Sequence, residues 1–263
     1  MLVNVSVSRP LMKAAGGVKT ESNVGGVIYV SHYFGSSSTF NVTKKGWCDY
    51  VIVAGGGTGG RTINVNSARS GGGGGGSVYE KFNSLLSTAS YTTIIGAGGG
   101  RVYSGSTNGN SGGTSSFNGN SIPGGGGGGR GDSGLQSAGN AGGCGGGAGM
   151  FGNTSLAGGA GSAYGFAGGN SSLVSIRTYG GGGGGAGSAG GSTSSGGAAK
   201  YSAIAGTSFS AGGNGTPYTD GGLYNILDET IPGYGSNGGL RMGTSTYYIG
   251  SGANGALYVR YIK

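Results

Sequence analysis

The sequence predicts an all-β protein in which a β-sandwich or jelly-roll-like framework carries a large insert of packed polyglycine helices. Three runs of six consecutive glycines extend from Gly71 to Gly76, from Gly124 to Gly129 and from Gly180 to Gly185. Strand-like apolar segments lie near both ends of the chain. No segment sustains the 3.6-residue period of an amphipathic helix, so helices are not expected.

The framework strands are predicted from their apolar patterns. Residues 27–34 and 256–262 alternate between apolar and polar or smaller side chains, which is typical of strands with one buried face. Residues 47–54 are almost continuously apolar, which predicts a strand covered on both faces. Shorter predicted strands occupy residues 36–42, 77–82, 90–95 and 246–249.

The chain divides into an N-terminal arm and one glycine-rich domain. Residues 1–25 form the arm, which alternates weakly, and residues 26–263 form the domain. Within the domain, the framework strands are expected at about residues 26–95 and 244–263. The glycine-rich insert then covers about residues 96–243.

The glycine runs are predicted to be ordered by their own backbones. Polyglycine can form a left-handed threefold helix that rises about 3.1 Å per residue and has no internal hydrogen bonds. Its N–H and C=O groups point sideways, so neighbouring helices can satisfy one another. The alternative is that the runs are flexible linkers. Aromatic and β-branched residues lie between the runs, and a free linker would not retain them, so they favour the ordered arrangement.

The composition excludes other glycine-rich classes and several partners. Glycine supplies 73 of 263 residues, yet only 8% are charged and only 4 are proline, which fits neither disordered chains nor collagen. The net charge of +8 comes from scattered basic residues, so no nucleic-acid partner is expected, whereas an anionic glycan stays open. No apolar stretch is long enough for membrane insertion, and residues 1–17 lack the apolar core of a signal peptide.

No catalytic residue, metal ligand or cofactor is predicted, so the protein is not expected to be an enzyme. His32 is the only histidine and lies inside an alternating strand. Asp228 and Glu229 are adjacent and would point to opposite faces of a strand, which suits a solvated loop better than acid–base chemistry. Cys48 and Cys144 are either two buried thiols or one disulfide, and the sequence leaves both open.

Aromatic residues in the glycine-rich part are the candidate receptor contacts. Tyrosine provides a large contact area at low entropic cost and is enriched at recognition surfaces. The alternative is that these rings pack over the glycine segments as small cores. The candidate residues are Tyr164, Phe166, Tyr179, Tyr218, Tyr224 and Tyr234.

Residues 34–42 and 50–57 resemble the opening of the glycine-rich domain of bacteriophage tail-fibre and tail-tip proteins. In that family a Ser/Thr-rich segment between two phenylalanines precedes an apolar strand and a block of glycines. The resemblance covers about residues 27–262, and its other matching segments are residues 95–99, 113–117 and 255–261. The adhesins at the tips of long tail fibres and the glycine-rich extracellular region of certain receptor tyrosine kinases have a similar organisation.

The resemblance implies a virion tail protein, assembled in the host cytoplasm, that recognises a host surface protein or glycan. It also implies that other phage tail proteins hold the chain, for which residues 1–25 are the candidate segment. Both a homotrimer and a monomeric cap are compatible with it. The main alternative is a structural virion protein, at the tail tip or on the capsid, without receptor contact. A secreted ligand-binding module and a polysaccharide-degrading enzyme are further alternatives.

Overall fold

The computed structural model describes residues 10–63, 68–103, 105–132, 136–217, 228–241 and 249–263. Within these residues every regular element is a β-strand, and no helix occurs. The predicted all-β class is therefore confirmed.

Two antiparallel sheets form the framework. One has five strands in the order β2-β3-β18-β5-β8, and the other has three in the order β1-β4-β9. The framework strands are β1 (Lys13–Ala15), β2 (Val18–Val24), β3 (Val27–Phe34), β4 (Ser38–Lys44), β5 (Gly46–Val53), β8 (Val78–Leu86), β9 (Ala89–Thr93) and β18 (Ala256–Ile262).

The other strands are short and pair two by two. All these pairs are antiparallel except β6 with β17, which are parallel. They are β6 (Arg61–Ile63), β7 (Ala68–Arg69), β10 (Ser115–Phe117), β11 (Asn120–Ile122), β12 (Met150–Phe151), β13 (Ser172–Val174), β14 (Arg177–Tyr179), β15 (Lys200–Ser202), β16 (Thr207–Phe209) and β17 (Gly239–Arg241).

The main predicted strands are confirmed. β3 and β18 have the predicted bounds, and β5 is buried between two apolar clusters, as its continuous apolar sequence indicates. The structure also places β1 and β2, which belong to the predicted arm, in the framework: β1 pairs with β4, and β2 pairs with β3. Residues 1–9 and 246–248 lie outside the described residues.

Buried aromatic rings join the two framework sheets. Phe40 of β4 is fully buried and meets the rings of His32, Phe34 and Phe117 at centroid distances of 5.2, 6.1 and 6.0 Å. Phe117 also meets Tyr50 of β5 at 5.1 Å in an edge-to-face arrangement. Edge-to-face pairs of this kind add about 0.5–1.5 kcal/mol to the free energy gained from burial. These rings are the centre of the framework core.

His32 is fully buried in β3 and links Gly16, just before β2, to Tyr261 of β18. Its Nδ1 lies 2.6 Å from the carbonyl oxygen of Gly16, which can only accept, so Nδ1 carries the proton. Its Nε2 then accepts from the hydroxyl of Tyr261 at 3.1 Å. The ring therefore satisfies both neighbours while it is neutral.

The neutral state of His32 predicts a pH-dependent stability. Burial lowers the pKa of His32 below its ordinary value of 6.5. As the pH falls, the unfolded chain protonates His32 at a higher pH than the folded protein does. The stability that neutral His32 contributes is therefore complete above about pH 6.5 and is lost as the pH falls through the folded pKa. Denaturant unfolding between pH 7.5 and 5 should show the free energy of unfolding falling by up to about 1.4 kcal/mol per pH unit.

The control for this prediction is His32→Gln, which cannot titrate. Because His32 is the only histidine, the variant should be less stable at neutral pH but should lose much less stability on acidification. An equal pH dependence in the two proteins would show that another group is responsible.

The two cysteines are free thiols in different apolar clusters. Cys48 belongs to the core between the framework sheets, whereas Cys144 packs with Val51 and Phe209 on the other side of the five-stranded sheet. Burial raises the pKa of each thiol to about 12. The disulfide that the sequence left open is therefore absent, and both thiols stay protonated and unreactive.

Each of the three long glycine runs has one end on the framework. Residue 76 precedes β8, residue 124 follows Ile122 of the framework core, and residue 185 precedes Ala186, which packs with Val51 and Val53. We call this the framework end of the glycine region. Residues 71, 129 and 180 lie at the opposite end, which we call the far end. Six residues of threefold polyglycine helix would span roughly 19 Å.

Backbone hydrogen bonds join the runs to one another with a period of three residues. Successive N–H groups of residues 71–76 donate in turn to three different neighbouring segments, and the fourth returns to the first. From donor to acceptor, the bonds are Gly71 to Gly129, Gly72 to Gly181, Gly73 to Ser236, Gly74 to Gly126, Gly75 to Gly184 and Gly76 to Gly233. Their lengths lie between 2.8 and 3.0 Å.

This bonding pattern explains why glycine is required there. All residues of the three runs are buried, and a Cβ on any of them would lie 2.5 Å or less from a backbone atom of a neighbouring segment. The runs are thus ordered parts of the fold rather than linkers. A three-residue period is what polyproline II geometry produces. The assignment of the runs to polyglycine helices stays a prediction.

Candidate recognition surface

The predicted aromatic contacts do not form one cluster. Tyr164 lies at the framework end, where its ring meets that of Tyr79 in β8 at 5.4 Å. Phe166 is also there, because its N–H donates to Gly185. Tyr234 follows Gly233, which accepts a bond from Gly76 at the same end. Tyr179 lies at the far end, and Tyr218 and Tyr224 fall outside the described residues.

These residues combine the two roles that the sequence left open. Tyr164 and Phe166 are 40% and 48% exposed, yet they also line a cavity beside Val78 and Ala186. Tyr179 and Tyr234 are only partly exposed. The exposed faces of the first two rings are therefore available for contact, although they lie beside the framework and not at the far end.

The hairpin of β13 and β14 presents apolar side chains at the far end. Leu173, Val174 and Ile176 are 40%, 46% and 90% exposed. The hairpin leads directly into the glycine run 180–185, which is hydrogen-bonded to its neighbours throughout. A two-residue turn at Ser175 and Ile176 joins its strands, with Val174 opposite Arg177. We call residues 173–177 the hairpin tip.

The hairpin tip holds an unfavourable backbone conformation. Ser175 and Ile176 have φ values of 47° and 66°, as both central residues of a type I′ turn require. Asparagine or glycine usually fills these positions, whereas a β-branched residue with positive φ is an outlier. The cost is of order 1–3 kcal/mol. Ile176 is 90% exposed at this position and contributes little to packing, so the fold itself does not account for it.

The hairpin tip carries aliphatic side chains, so it is not among the aromatic residues that the sequence indicated as contacts. A usable signal is present, since residues 173–176 contain no glycine and carry three large aliphatic side chains within a glycine-rich region. What the sequence could not provide is the enclosure of each side chain. Only the packing distinguishes exposed Ile176 from buried Ile204, which is 4% exposed.

The two ends of the molecule differ in their basic residues. All described lysines lie on framework strands, on the turn between β4 and β5, at the C-terminus, or on the β15–β16 hairpin that packs against the framework. Most arginines instead follow or precede glycine segments at the far end, or lie on the strands there. The arginines placed in this way are Arg61, Arg69, Arg101, Arg130, Arg177 and Arg241.

An ion pair fixes two far-end segments to each other. The Arg101 guanidinium donates two hydrogen bonds to the Asp228 carboxylate, one of them at 2.8 Å. Ser251 donates from its N–H and its hydroxyl to the same carboxylate at 2.8 and 2.9 Å. These partners, Arg101 first, hold the pKa of Asp228 well below its ordinary value. Glu229 differs, since burial raises its pKa. Asp228 is thus a structural anchor.

Two possible features are absent from the part of the chain that the structure describes. It contains no group of three or more His, Cys, Asp or Glu side chains placed to hold a metal ion. It also contains no helix with the length and apolarity needed to cross a membrane.

The fold and the surface define a glycine-rich β protein whose backbone-bonded segments carry loops away from a β framework. A family model described as a glycine-rich domain matches residues 35–262. The chain therefore belongs to the glycine-rich domain family. A search of curated protein sequences gave no match.

Proposed function

We propose that the protein is a bacteriophage tail-tip or tail-fibre protein that attaches the virion to a host surface protein or glycan. In this proposal other tail proteins hold the framework end, and the far end faces the host. The observation that carries the proposal is the hairpin tip, where Ile176 is 90% exposed in an unfavourable conformation at the end of a hydrogen-bonded glycine run.

The rigid base of the hairpin tip supports this proposal, because it preorganises the tip for binding. A binding loop on a rigid support loses less conformational entropy when it meets its partner, which increases affinity without new contacts. Backbone bonds support the hairpin base, because the N–H of Gly180 donates to Thr216 at 3.0 Å and that of Gly181 donates to Ala148 at 2.9 Å. Exposed aliphatic side chains beside Arg177 suit a protein surface with apolar and acidic groups.

The alternative is a structural virion protein without receptor contact. It is favoured by exposed apolar residues on the framework itself, where Val18, Val24, Val27 and Ile28 of the β2–β3 hairpin are 38–64% exposed. Such a surface suits contact with another virion protein. The two proposals differ in which end of the molecule has to be free.

The test is Ile176→Asn in particles that carry the protein. Asparagine tolerates positive φ, so the variant should be about 1 kcal/mol more stable than the natural protein. Adsorption to host cells should nevertheless fall about tenfold, because the apolar contact is lost. Thermal unfolding and the rate of adsorption measure the two effects, and the gain in stability excludes misfolding as the cause of weaker adsorption.

Ile94→Asn is the matched control, since it removes an isoleucine that is 48% exposed on the framework. It should leave adsorption unchanged. If the Ile176 variant is incorporated normally and adsorbs as well as the natural protein, the hairpin tip is not the attachment site, and the structural role becomes the better proposal.

A further inference from the structure

The outer face of the five-stranded sheet carries an open groove that the proposed function does not use. Alternate residues of β3 point to opposite faces, so Val30, His32 and Phe34 enter the core while the tyrosines and the serine between them face outward. The β15–β16 hairpin covers only one part of this outer face, through Ile204. A cavity of about 340 Å³ lies beside Ile204 of this hairpin. A second cavity, of about 150 Å³, reaches from Trp47 and Asp49 to the chain before β1 at Pro10 and Leu11, and Arg260 lines both.

Four polar residues form one row across the groove. Cross-strand pairing places Thr20 of β2 opposite Ser31 of β3, Ser31 opposite Arg260 of β18, and Arg260 opposite Asp49 of β5. Residues that are directly opposite in this way share a face and lie about 5 Å apart. The row therefore offers hydroxyl, guanidinium and carboxylate groups in sequence across four strands.

Aromatic residues flank this row on both sides. Tyr33 and Tyr258 form one flank, with ring centroids 4.8 Å apart, and both also line the larger cavity. Tyr29 and Trp47 line the smaller cavity on the other flank. All four rings are partly exposed. The groove thus alternates between apolar rings and hydrogen-bonding groups.

The Arg260 guanidinium is held in place before any ligand binds. The Arg260 guanidinium lies 5.2 Å from the ring centroid of Tyr29 and donates to the carbonyl oxygen of Ala203 at 2.9 Å. It also meets Asp49 at 3.4 Å. Asp49 in turn accepts from the N–H of Asn83 at 2.9 Å. Side chains fixed in this way lose little conformational entropy when a ligand binds.

We propose that this groove binds a saccharide chain. A sugar ring has apolar C–H faces and a rim of hydroxyl groups, so it needs flat apolar surfaces alternating with donors and acceptors. Aromatic rings provide the first, and the row from Thr20 to Asp49 provides the second. A protein partner fits less well, because the cores of protein interfaces are depleted of charged residues whereas here an ion pair lies in the middle. The site is separate from the hairpin tip.

Trp47 allows a direct test, since it is the only tryptophan in the chain and lines the groove. The purified protein is applied to an array of bacterial surface polysaccharides, and oligosaccharides from those retained are then titrated while the emission of Trp47 is followed. We expect saturable binding with a change in Trp47 emission. Failure of every polysaccharide on the array to bind, or binding without a change in emission, would overturn the proposal.

Two variants locate the site, and a third separates it from the proposed function. Tyr29→Ala removes one aromatic face and should weaken binding about tenfold, or ~1.4 kcal/mol. Ser31→Arg fills the middle of the groove without removing a core side chain and should abolish binding while thermal unfolding stays close to that of the natural protein. Ile176→Asn should leave saccharide binding unchanged. Retained binding in folded Ser31→Arg protein would contradict the proposal, whatever the adsorption experiment shows.

Discussion

Replacing Gly183 with alanine is expected to destabilise the protein by about 3 kcal/mol or more. A Cβ at this position would lie 2.0 Å from the carbonyl oxygen of Gly73 and 2.4 Å from its carbon. Both atoms belong to backbone, which cannot turn aside as a side chain can. Gly183 is also bonded on two sides, because its N–H donates to Gly213 and its carbonyl accepts from Gly197, each at 2.8 Å. Making room for one methyl group therefore disturbs several hydrogen bonds at once.

Gly100→Ala is the matched control. The nearest atom to a Cβ at Gly100 is the side-chain nitrogen of Asn110 at 4.0 Å, so the methyl group fits. This substitution should change the free energy of unfolding by less than about 0.5 kcal/mol. Denaturant unfolding of both variants measures the two changes in the free energy of unfolding. Equal stability of the two variants would show that the glycine runs tolerate side chains and that backbone contact does not order them.

Replacing Phe40 with alanine is the second large effect, and we expect a loss of about 3–5 kcal/mol. Phe40 is fully buried between the two sheets and contacts three other rings. The cavity left by its removal cannot fill easily, because the surrounding aromatic rings are held by the strands. The framework holds one end of each long glycine run, so this loss should lower the thermal unfolding temperature of the whole domain in one transition.

Phe82→Ala is the control for that substitution, since Phe82 of β8 is 49% exposed. It should cost less than about 1 kcal/mol. Two separate unfolding transitions in the Phe40 variant would contradict the expectation that framework and glycine region unfold together. Both could then be stable alone, and the backbone bonds would be sufficient for the glycine region.

The framework and the glycine region of this chain are stabilised in two different ways. The framework depends on side chains that fill space, so removing atoms at Phe40 damages it. The glycine region depends on backbones in contact, so adding one carbon at Gly183 damages it. Similar energetic losses from opposite chemical changes are what this division of the molecule predicts.

The candidate sites were only partly accessible from the sequence. Tyr164 and Phe166 are exposed, but the fold places them near the framework and apart from Tyr179. The hairpin tip and the groove were both missed. The row in the groove combines Thr20, Ser31, Asp49 and Arg260, which are far apart in the chain, and only strand pairing brings them together.

The sequence alone determined the all-β class, the main framework strands and the need for glycine in the three long runs. These follow from local properties: the two-residue period of a strand, the continuous apolar stretch of a covered strand, and the missing side chain of glycine. The tertiary structure decided which backbones bond to which: Gly72, for example, donates to Gly181, and Gly75 donates to Gly184. The physical reason is that glycine segments have no side chains to distinguish them, so their partners are selected by where the framework strands hold their ends.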